Sequence, residues 1–300
     1  MKNVNEILSN AHMTFEDDEK MLQEIKKKCF RSQQAIAHLR KRGFTDEMIE
    51  NNILKVYDFV KDYEYCLNCP GVENCQKENA LLIHEIKLEY GIVSQELRPC
   101  RKILEKAQLE NQFVVSDFNH AWMTKTIKSL DSSKGRIEAL KKFENYKNDT
   151  SDKWIYLTGK MNSGRTYISA IMCIELAKIN RGPVCFLNTP NRLSNLSSLS
   201  FKDKDKFEKT LDIYVNVPVL VLDDFGTELK NDLVRNIILQ IFTKRSGKHL
   251  FTIINSDYSI NDIVELYSQT KSASIEAKRI GDILKQECQK EINLGGLEVY

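Results

Sequence analysis

The 300-residue sequence lacks the features that mark membrane and secreted proteins. No apolar stretch approaches the roughly 18 residues that a membrane span requires. The first ten residues, M-K-N-V-N-E-I-L-S-N, lack the apolar centre of a signal peptide, so we expect a cytoplasmic location and no membrane partner. The 44 basic and 42 acidic residues nearly cancel, which gives a net charge of +2. Nucleic-acid binding through global charge is therefore excluded, and only a local basic patch could serve that purpose.

Helix-breaking residues are scarce in the first 64 residues, which contain Gly43 and no proline. Strong helix formers on both sides of Gly43 predict two helices. Thr45 can cap the second helix, and Asp46 and Glu47 suit its first turn. We expect a helical pair with one apolar face and no chemistry of its own.

After residue 154 the pattern changes, and short apolar strands alternate with helices. The strands are W-I-Y-L-T, V-C-F-L-N, P-V-L-V-L-D-D and L-F-T-I-I-N. Continuous apolar strands of this kind predict an α/β fold with a parallel sheet covered on both faces. Ligands bind such sheets at the carboxyl ends of the strands. A glycine loop at 159, the acids Asp223 and Asp224, and Asn255 all fall at ends of this kind.

Four of the eight cysteines indicate a metal site. They follow a C-x2-C pattern with two later thiols, and they are Cys66, Cys69, Cys75 and Cys100. This set is typical of a closed, structural zinc site. His84 is a rival ligand, because it lies in a predicted half-buried strand with Ile86 and Leu88. The alternative is four reduced cysteines without a metal.

Three segments follow from these patterns. We expect a helical and zinc-binding domain at 1–110, a linker and helical entry at 111–150, and a P-loop domain at 151–300. The polar stretch 145–152 is the expected linker between the last two.

Residues 159–166 read G-K-M-N-S-G-R-T, which departs from the phosphate-loop pattern G-x-x-x-x-G-K-[ST] at one position, Arg165. The stretch follows a strand and opens a helix, as phosphate binding by backbone N–H groups requires. Thr166 and Asp223 are placed to hold Mg²⁺, and Asp224 to polarise an attacking water. The predicted ATP- or ADP-binding residues are Gly159, Asn162, Ser163, Gly164, Arg165, Thr166 and Asp223.

The same segments resemble a known family. V-L-V-L-D-D-F-G-T-E is similar to the Walker B segment of the DnaI/DnaC-type helicase loaders, which are AAA+ ATPases of bacterial replication. F-T-I-I-N-S-D-Y-S resembles the family's sensor 1 segment, with Asn255 at the sensor position. E-A-K-R-I-G-D-I-L resembles its C-terminal arginine helix and aligns Arg279 with the first arginine. The helical start, C-x2-C-P-G-x3-C and later P-C resemble the DnaI branch.

The resemblance implies an AAA+ fold and a role in primosome assembly. Its members place the hexameric replicative helicase on single-stranded DNA and act with other primosome proteins. The implied partners are therefore that helicase, single-stranded DNA and primosome proteins, and the implied cofactors are ATP or ADP with Mg²⁺, and Zn²⁺. Asp224, Asn255 and Arg279 are the implied catalytic residues.

Three basic positions depart from the family pattern. Arg165 replaces lysine, Ile283 stands where a second arginine is expected, and the final G-G-L-E-V-Y lacks the family's last arginine. Arginine is larger and forked, so the exchange at 165 is not neutral. Loss of a finger arginine costs on the order of 10³–10⁵ in rate where it operates. We expect hydrolysis to be weakened more than binding.

A basic cluster before the Asn255 strand, Lys244, Arg245 and Lys248, is the candidate DNA contact. A solvated basic face is the simpler interpretation. Three alternatives to helicase loading stay open. They are a non-catalytic adaptor of the same fold, a transposition-helper ATPase, and a zinc-containing regulator with a vestigial loop.

Overall fold

The computed structural model of the protein describes residues 15–148, 154–268 and 271–295. Contacts divide the chain into two compact units, 1–107 and 108–300. Within the described residues, no helix has both the length and the apolar character needed to cross a membrane.

From residue 15 onwards, the part that the structure describes, the first unit contains four α-helices followed by a β-hairpin. The elements are α1 (Phe15–Arg31), α2 (Gln33–Lys41), α3 (Asp46–Asn51), α4 (Ile53–Leu67), β1 (Leu82–Glu89) and β2 (Ile92–Pro99). The two predicted helices are thus four shorter ones. Thr45 caps α3 as predicted, since its hydroxyl accepts a hydrogen bond from the backbone N–H of Met48 at 3.2 Å.

A shared apolar core joins the helices to the hairpin. Leu39, Ile49, Val56 and Ile86 are fully buried in this core. The predicted strand through His84 is confirmed as β1, which pairs antiparallel with β2. Tyr90 and Gly91 connect the strands with φ of 51° and 79°. Positive φ at both positions is what a tight primed turn between right-twisted strands requires.

The second unit is a six-stranded sheet with helices. Its strands are β3 (Phe113–Ser116), β4 (Trp154–Thr158), β5 (Val184–Asn188), β6 (Val219–Asp223), β7 (Phe251–Ser256) and β8 (Glu291–Asn293). Its helices are α6 (Lys134–Lys147), α7 (Arg165–Lys178), α8 (Thr189–Lys202), α9 (Lys204–Asn216), α10 (Asp232–Gly247), α11 (Ile260–Tyr267) and α12 (Lys271–Cys288). Helix α5 (Arg101–Glu110) spans the division between the units in sequence.

Every strand pair in this sheet is parallel, and the strand order is β3-β5-β6-β7-β4-β8. Alternate residues of one strand enter two different cores. Leu220 and Leu222 of β6 pack in one core, while Val219 and Val221 pack in the other. The predicted parallel sheet covered on both faces is confirmed.

The segment 111–150, expected to be a linker and helical entry, also contributes strand β3 at the sheet edge. Phe113, Val115 and Ser116 pair with β5. The strand has only four residues between Lys- and Glu-rich stretches, so periodicity gives it little signal. The expected polar linker falls partly on residues 149–153, and the C-terminal G-L-E-V-Y on 296–300, both outside the described residues.

Candidate nucleotide site

The phosphate loop lies between β4 and α7, and its backbone takes conformations that favour glycine. Gly159 and Gly164 have φ of 155° and 83°. A Cβ at Gly159 would stand 2.7 Å from Ser163 Oγ, and one at Gly164 would stand 2.7 Å from Arg136 Nη2. At Gly159 the Cβ would also stand 2.9 Å from the backbone carbonyl oxygen of Gly295, so both space and backbone require glycine there. At Gly164 the requirement comes from the positive φ, because the end of the Arg136 side chain can shift.

Polar residues of three adjacent strands form one row at the carboxyl edge of the sheet. Asn188 of β5 is in register with Asp223 of β6. Leu222 of β6 is in register with Ile254 of β7, so the residues that follow them, Asp223 and Asn255, are also neighbours. The strand ends thus bring together the acids and the asparagine that the sequence pattern singled out.

Asp223 is the centre of this row. Its carboxylate accepts hydrogen bonds from the Thr166 hydroxyl at 3.0 and 3.1 Å and from Asn255 Nδ2 at 2.6 Å. Burial raises its pKa to about 6, and the neighbouring Asp224 charge adds to the rise. The Asn255 and Thr166 hydrogen bonds and the Arg165 charge oppose it. The arrangement joins the hydroxyl and the carboxylate that a P-loop uses for Mg²⁺.

Asp224 turns away from the strand with φ of 56°. Asn188 Nδ2 donates a hydrogen bond to its Oδ2 at 3.3 Å, and Thr227 Oγ1 donates to its carbonyl at 2.7 Å. The backbone turn and Asn188 together orient the carboxylate. Sequence reasoning did not select Asn188, although its place at the end of a parallel strand was the available signal.

Asn255 is held from the opposite side by Ser169 of α7, whose hydroxyl donates to Asn255 Oδ1 at 2.8 Å. Both side chains are buried. Ser169 was also missed. Its signal is a polar residue one turn after Thr166 in an otherwise apolar helix segment.

Arg136 of α6 contacts the backbone of the phosphate loop. Its Nη2 donates to the Ser163 carbonyl at 3.0 Å, and it pairs with Asp131. The side chain is buried, and its Nε has no hydrogen-bond partner among the described residues. No sequence signal marks this residue, because it lies in a charged helical stretch where arginine is ordinary.

Arg165 and Arg279 differ in their surroundings. Arg165 is buried, donates to the Gly159 carbonyl and pairs with Asp257. Arg279 is exposed on α12, and it has no hydrogen bond or ion pair to the residues that the structure describes. Ile283, at the place expected for a second arginine, packs against the core of the sheet.

The proposed DNA contact through Arg245 is wrong. Arg245 is fully buried and donates to the carbonyls of Tyr214, Val217 and Phe251 and to the Thr252 hydroxyl. Burial lowers its pKa to about 9. The sequence pattern failed because a basic residue at the end of a helix is ordinarily solvated. Lys244 and Lys248 are exposed.

Four of the five cysteines in the first unit line one cavity of about 20 Å³ together with Lys77; they are Cys66, Cys69, Cys75 and Cys100. Cys75 accepts hydrogen bonds from the backbone of Leu81 and Lys77, which lower its pKa, while burial raises the pKa of Cys66. The donor chemistry therefore suits zinc. Among the described residues, however, no group of three or more His, Cys, Asp or Glu side chains is arranged to hold a metal ion. The structure does not support the predicted site.

The rival zinc ligand has another partner. His84 Nδ1 lies 2.9 Å from Asp62 Oδ2, and the His84 backbone N–H donates to the same oxygen at 2.7 Å. Asp62 also pairs with Lys77 at 2.8 Å. His84 is not part of the cavity lining that holds the thiols.

Comparisons with known proteins agree with this fold. The family described as IstB-like ATP binding protein matches residues 77–288. A curated relative, the replicative helicase loader DnaI of Bacillus subtilis, is 23% identical over 281 aligned residues, and the match covers 90% of this chain and 89% of the relative. A crystal structure of DnaI shares 24% identity at a TM-score of 0.55 and covers 62% of this chain and 98% of its own. A primosome component from Streptococcus pyogenes, described as putative, shares 21% identity at a TM-score of 0.50, with 64% and 97% covered.

Proposed function

Because this chain belongs to the family of IstB-like ATP binding proteins, we propose that it is a loader of the replicative DNA helicase whose second unit binds ATP with Mg²⁺. The observation that carries the nucleotide part is the bonded set of Thr166, Asp223 and Asn255 beside the glycine loop. The loading part is supported by the similarity to DnaI, which extends over 90% of the chain and so includes most of the first unit.

The residues of the site suit this chemistry. The backbone N–H groups of the loop and the start of α7 would bind the phosphates. Thr166 and Asp223 would hold Mg²⁺, which would neutralise phosphate charge. Asp224, oriented by Asn188, would accept a hydrogen bond from the attacking water. Asn255 would position that water while it holds Asp223.

Hydrolysis is expected to be slow. Arg165 donates to Gly159 and Asp257, and Ile283 offers no charge to a transition state. Binding depends mainly on the loop backbone and Mg²⁺, so it should be affected less. The protein would then act through its nucleotide-bound state, in contact with the hexameric helicase, single-stranded DNA and other primosome proteins.

Two measurements on the full chain test the proposal. ATP binding is measured by calorimetry with and without Mg²⁺, and capture of the hexameric helicase of the same organism is measured with ATP, with ADP and without nucleotide. We expect Mg²⁺-dependent binding and helicase capture. Capture without any ATP binding would instead indicate an adaptor that needs no nucleotide, and binding without capture would refute the loading role. Turnover at the rate of an ordinary loader would refute the slow hydrolysis.

A separate proposal for the first unit rests on the cysteine spacing and the shared cavity, although the thiols are not arranged as metal ligands in the structure. It is a structural zinc ion held by Cys66, Cys69, Cys75 and Cys100. The full chain, purified without chelator, should contain about one zinc per molecule by elemental analysis. Cys69→Ser should lose it. Cys29→Ala, which changes a buried cysteine of the same unit outside the cavity, should retain it. The site would be refuted if wild-type protein contained no zinc and if added zinc left its melting temperature unchanged.

A further inference from the structure

The guanidinium of Arg165 connects the two sides of the nucleotide site. Its Nη1 donates to the carbonyl of Gly159 at the start of the loop, and its Nη2 pairs with the carboxylate of Asp257, the residue after β7. Arg165 is 8% exposed. One side chain thus ties the phosphate loop to the end of a neighbouring strand.

Arginine makes this connection with two separate nitrogens of one rigid group. The guanidinium is planar and forked, so two of its N–H groups reach two acceptors at once. A lysine ammonium is a compact point charge on a flexible stem, which can follow a phosphate group. The arginine at this position therefore has fixed acceptors of its own before any phosphate arrives.

The Asp257 side chain is 41% exposed beside the loop. It lines a cavity of about 620 Å³ beside Gly159 and Lys160 of the loop. Asp262 and Glu291 line the same cavity. A phosphate group approaching the loop would meet Asp257 as a competing anion, already paired with the cation of the loop.

We propose that Asp257 sets the nucleotide affinity of this protein by competing with the phosphates for the Arg165 guanidinium. Arg165 is paired with Asp257 rather than free to meet a phosphate, and nucleotide binding requires the pair to break. Asp257 is a specificity-setting residue in this scheme, because the ligand must carry enough phosphate charge to displace a carboxylate. Triphosphates are thereby favoured over monophosphates. This inference rests on the proposed nucleotide-binding function.

The test compares three full-length proteins: wild type, Asp257→Asn and Asp262→Asn. Asp262 is the matched control, since it lines the same cavity with the same charge but its carboxylate bonds Ser259. Calorimetric titration with ATP, ADP and AMP gives the affinities, and thermal unfolding without nucleotide gives the melting temperatures.

We expect Asp257→Asn to bind ATP about tenfold more tightly than wild type, and the preference for ATP over AMP to shrink. Asp262→Asn should change the affinity less than about threefold, because charge acting through solvent is screened. Without nucleotide, Asp257→Asn should melt about 1–3 °C lower than wild type, because it lacks the ion pair.

Equal ATP affinities of Asp257→Asn and wild type would overturn the inference and leave the proposed function intact. Equal gains in both variants, with no loss of melting temperature in Asp257→Asn, would also overturn it, since simple charge repulsion would then explain the effect. Absence of binding by all three proteins would refute nucleotide binding itself, and the inference with it.

Discussion

The two candidate sites of this protein differ in how their polar groups are satisfied. In the second unit, hydrogen bonds join Thr166 to Asp223, Asp223 to Asn255 and Asn255 to Ser169, so these side chains hold one another in place. In the first unit, four thiols share a small cavity but are not arranged as metal ligands. Donors and acceptors can stabilise each other directly, whereas four thiolates repel and need a cation between them. The first arrangement is stabilised by its own hydrogen bonds, whereas the thiols cannot stabilise one another in this way.

The largest expected effect tests how much the internal hydrogen bonds of the second unit contribute to its stability. Arg245→Met should lower the free energy of unfolding by about 3–5 kcal/mol, because it leaves buried carbonyls without their donor. Chemical denaturation followed by circular dichroism measures the change. Lys244→Met is the control, since that residue is exposed and should change stability by less than about 0.5 kcal/mol. Equal losses in both variants would contradict the structural role of Arg245.

Asp223→Asn should break the row at its centre. Mg²⁺-dependent ATP affinity should fall on the order of a hundredfold, because an amide replaces the carboxylate that we propose as the metal ligand. Calorimetry with and without Mg²⁺ isolates this loss. Asp224→Asn should retain the affinity and reduce only hydrolysis. Unchanged Mg²⁺ dependence in Asp223→Asn would exclude this carboxylate as the ligand.

Acidification should weaken Mg²⁺-dependent ATP binding while it increases the contribution of Asp223 to stability. The pKa of Asp223 is raised to about 6 by burial, so Mg²⁺-dependent ATP affinity should fall below that pH by up to about tenfold per unit. The stability effect has the opposite sign. The folded state holds this proton more tightly than the unfolded chain, so the contribution is full at low pH and is lost as pH rises towards 6. Asp223→Asn should remove both dependences, and a wild-type profile in that variant would contradict the assignment.

The smallest effect should be confined to the first unit. Thr45→Ala removes the cap of α3 and should cost about 1 kcal/mol of stability in that unit. Thr45→Ser, which keeps the hydroxyl, should be close to wild type. ATP affinity measured by calorimetry should be the same in all three proteins. A change in affinity would show that the two sites are coupled.

Much of the second unit could be predicted because its signals are local. Continuous apolar strands predict buried parallel strands, and a glycine loop between strand and helix predicts a phosphate cradle. The acids and Asn255 fell together because parallel strands end at one edge of the sheet. Strand β3 escaped, since four residues give too little periodicity.

The remaining features depend on contacts between distant residues. Arg136, Ser169 and Asn188 act through partners that lie tens of residues away, and their residue types are common in such positions. Arg245 was misplaced for the same reason, because only the folded chain surrounds it with carbonyls. The cysteine pattern gave the grouping of the thiols but not their arrangement.

The spacing between Asn188, Asp223 and Asn255 is set by the geometry of the sheet. Neighbouring strands lie about 4.8 Å apart, and successive residues along a strand advance about 3.3 Å and change faces. An acid moved by one position along β6 would therefore miss both the hydroxyl and the amide that now hold it. Backbone hydrogen bonds between the strands therefore fix the positions of these polar side chains. Exchanges among the apolar residues of the strands would preserve those positions, whereas a shift in strand register would not.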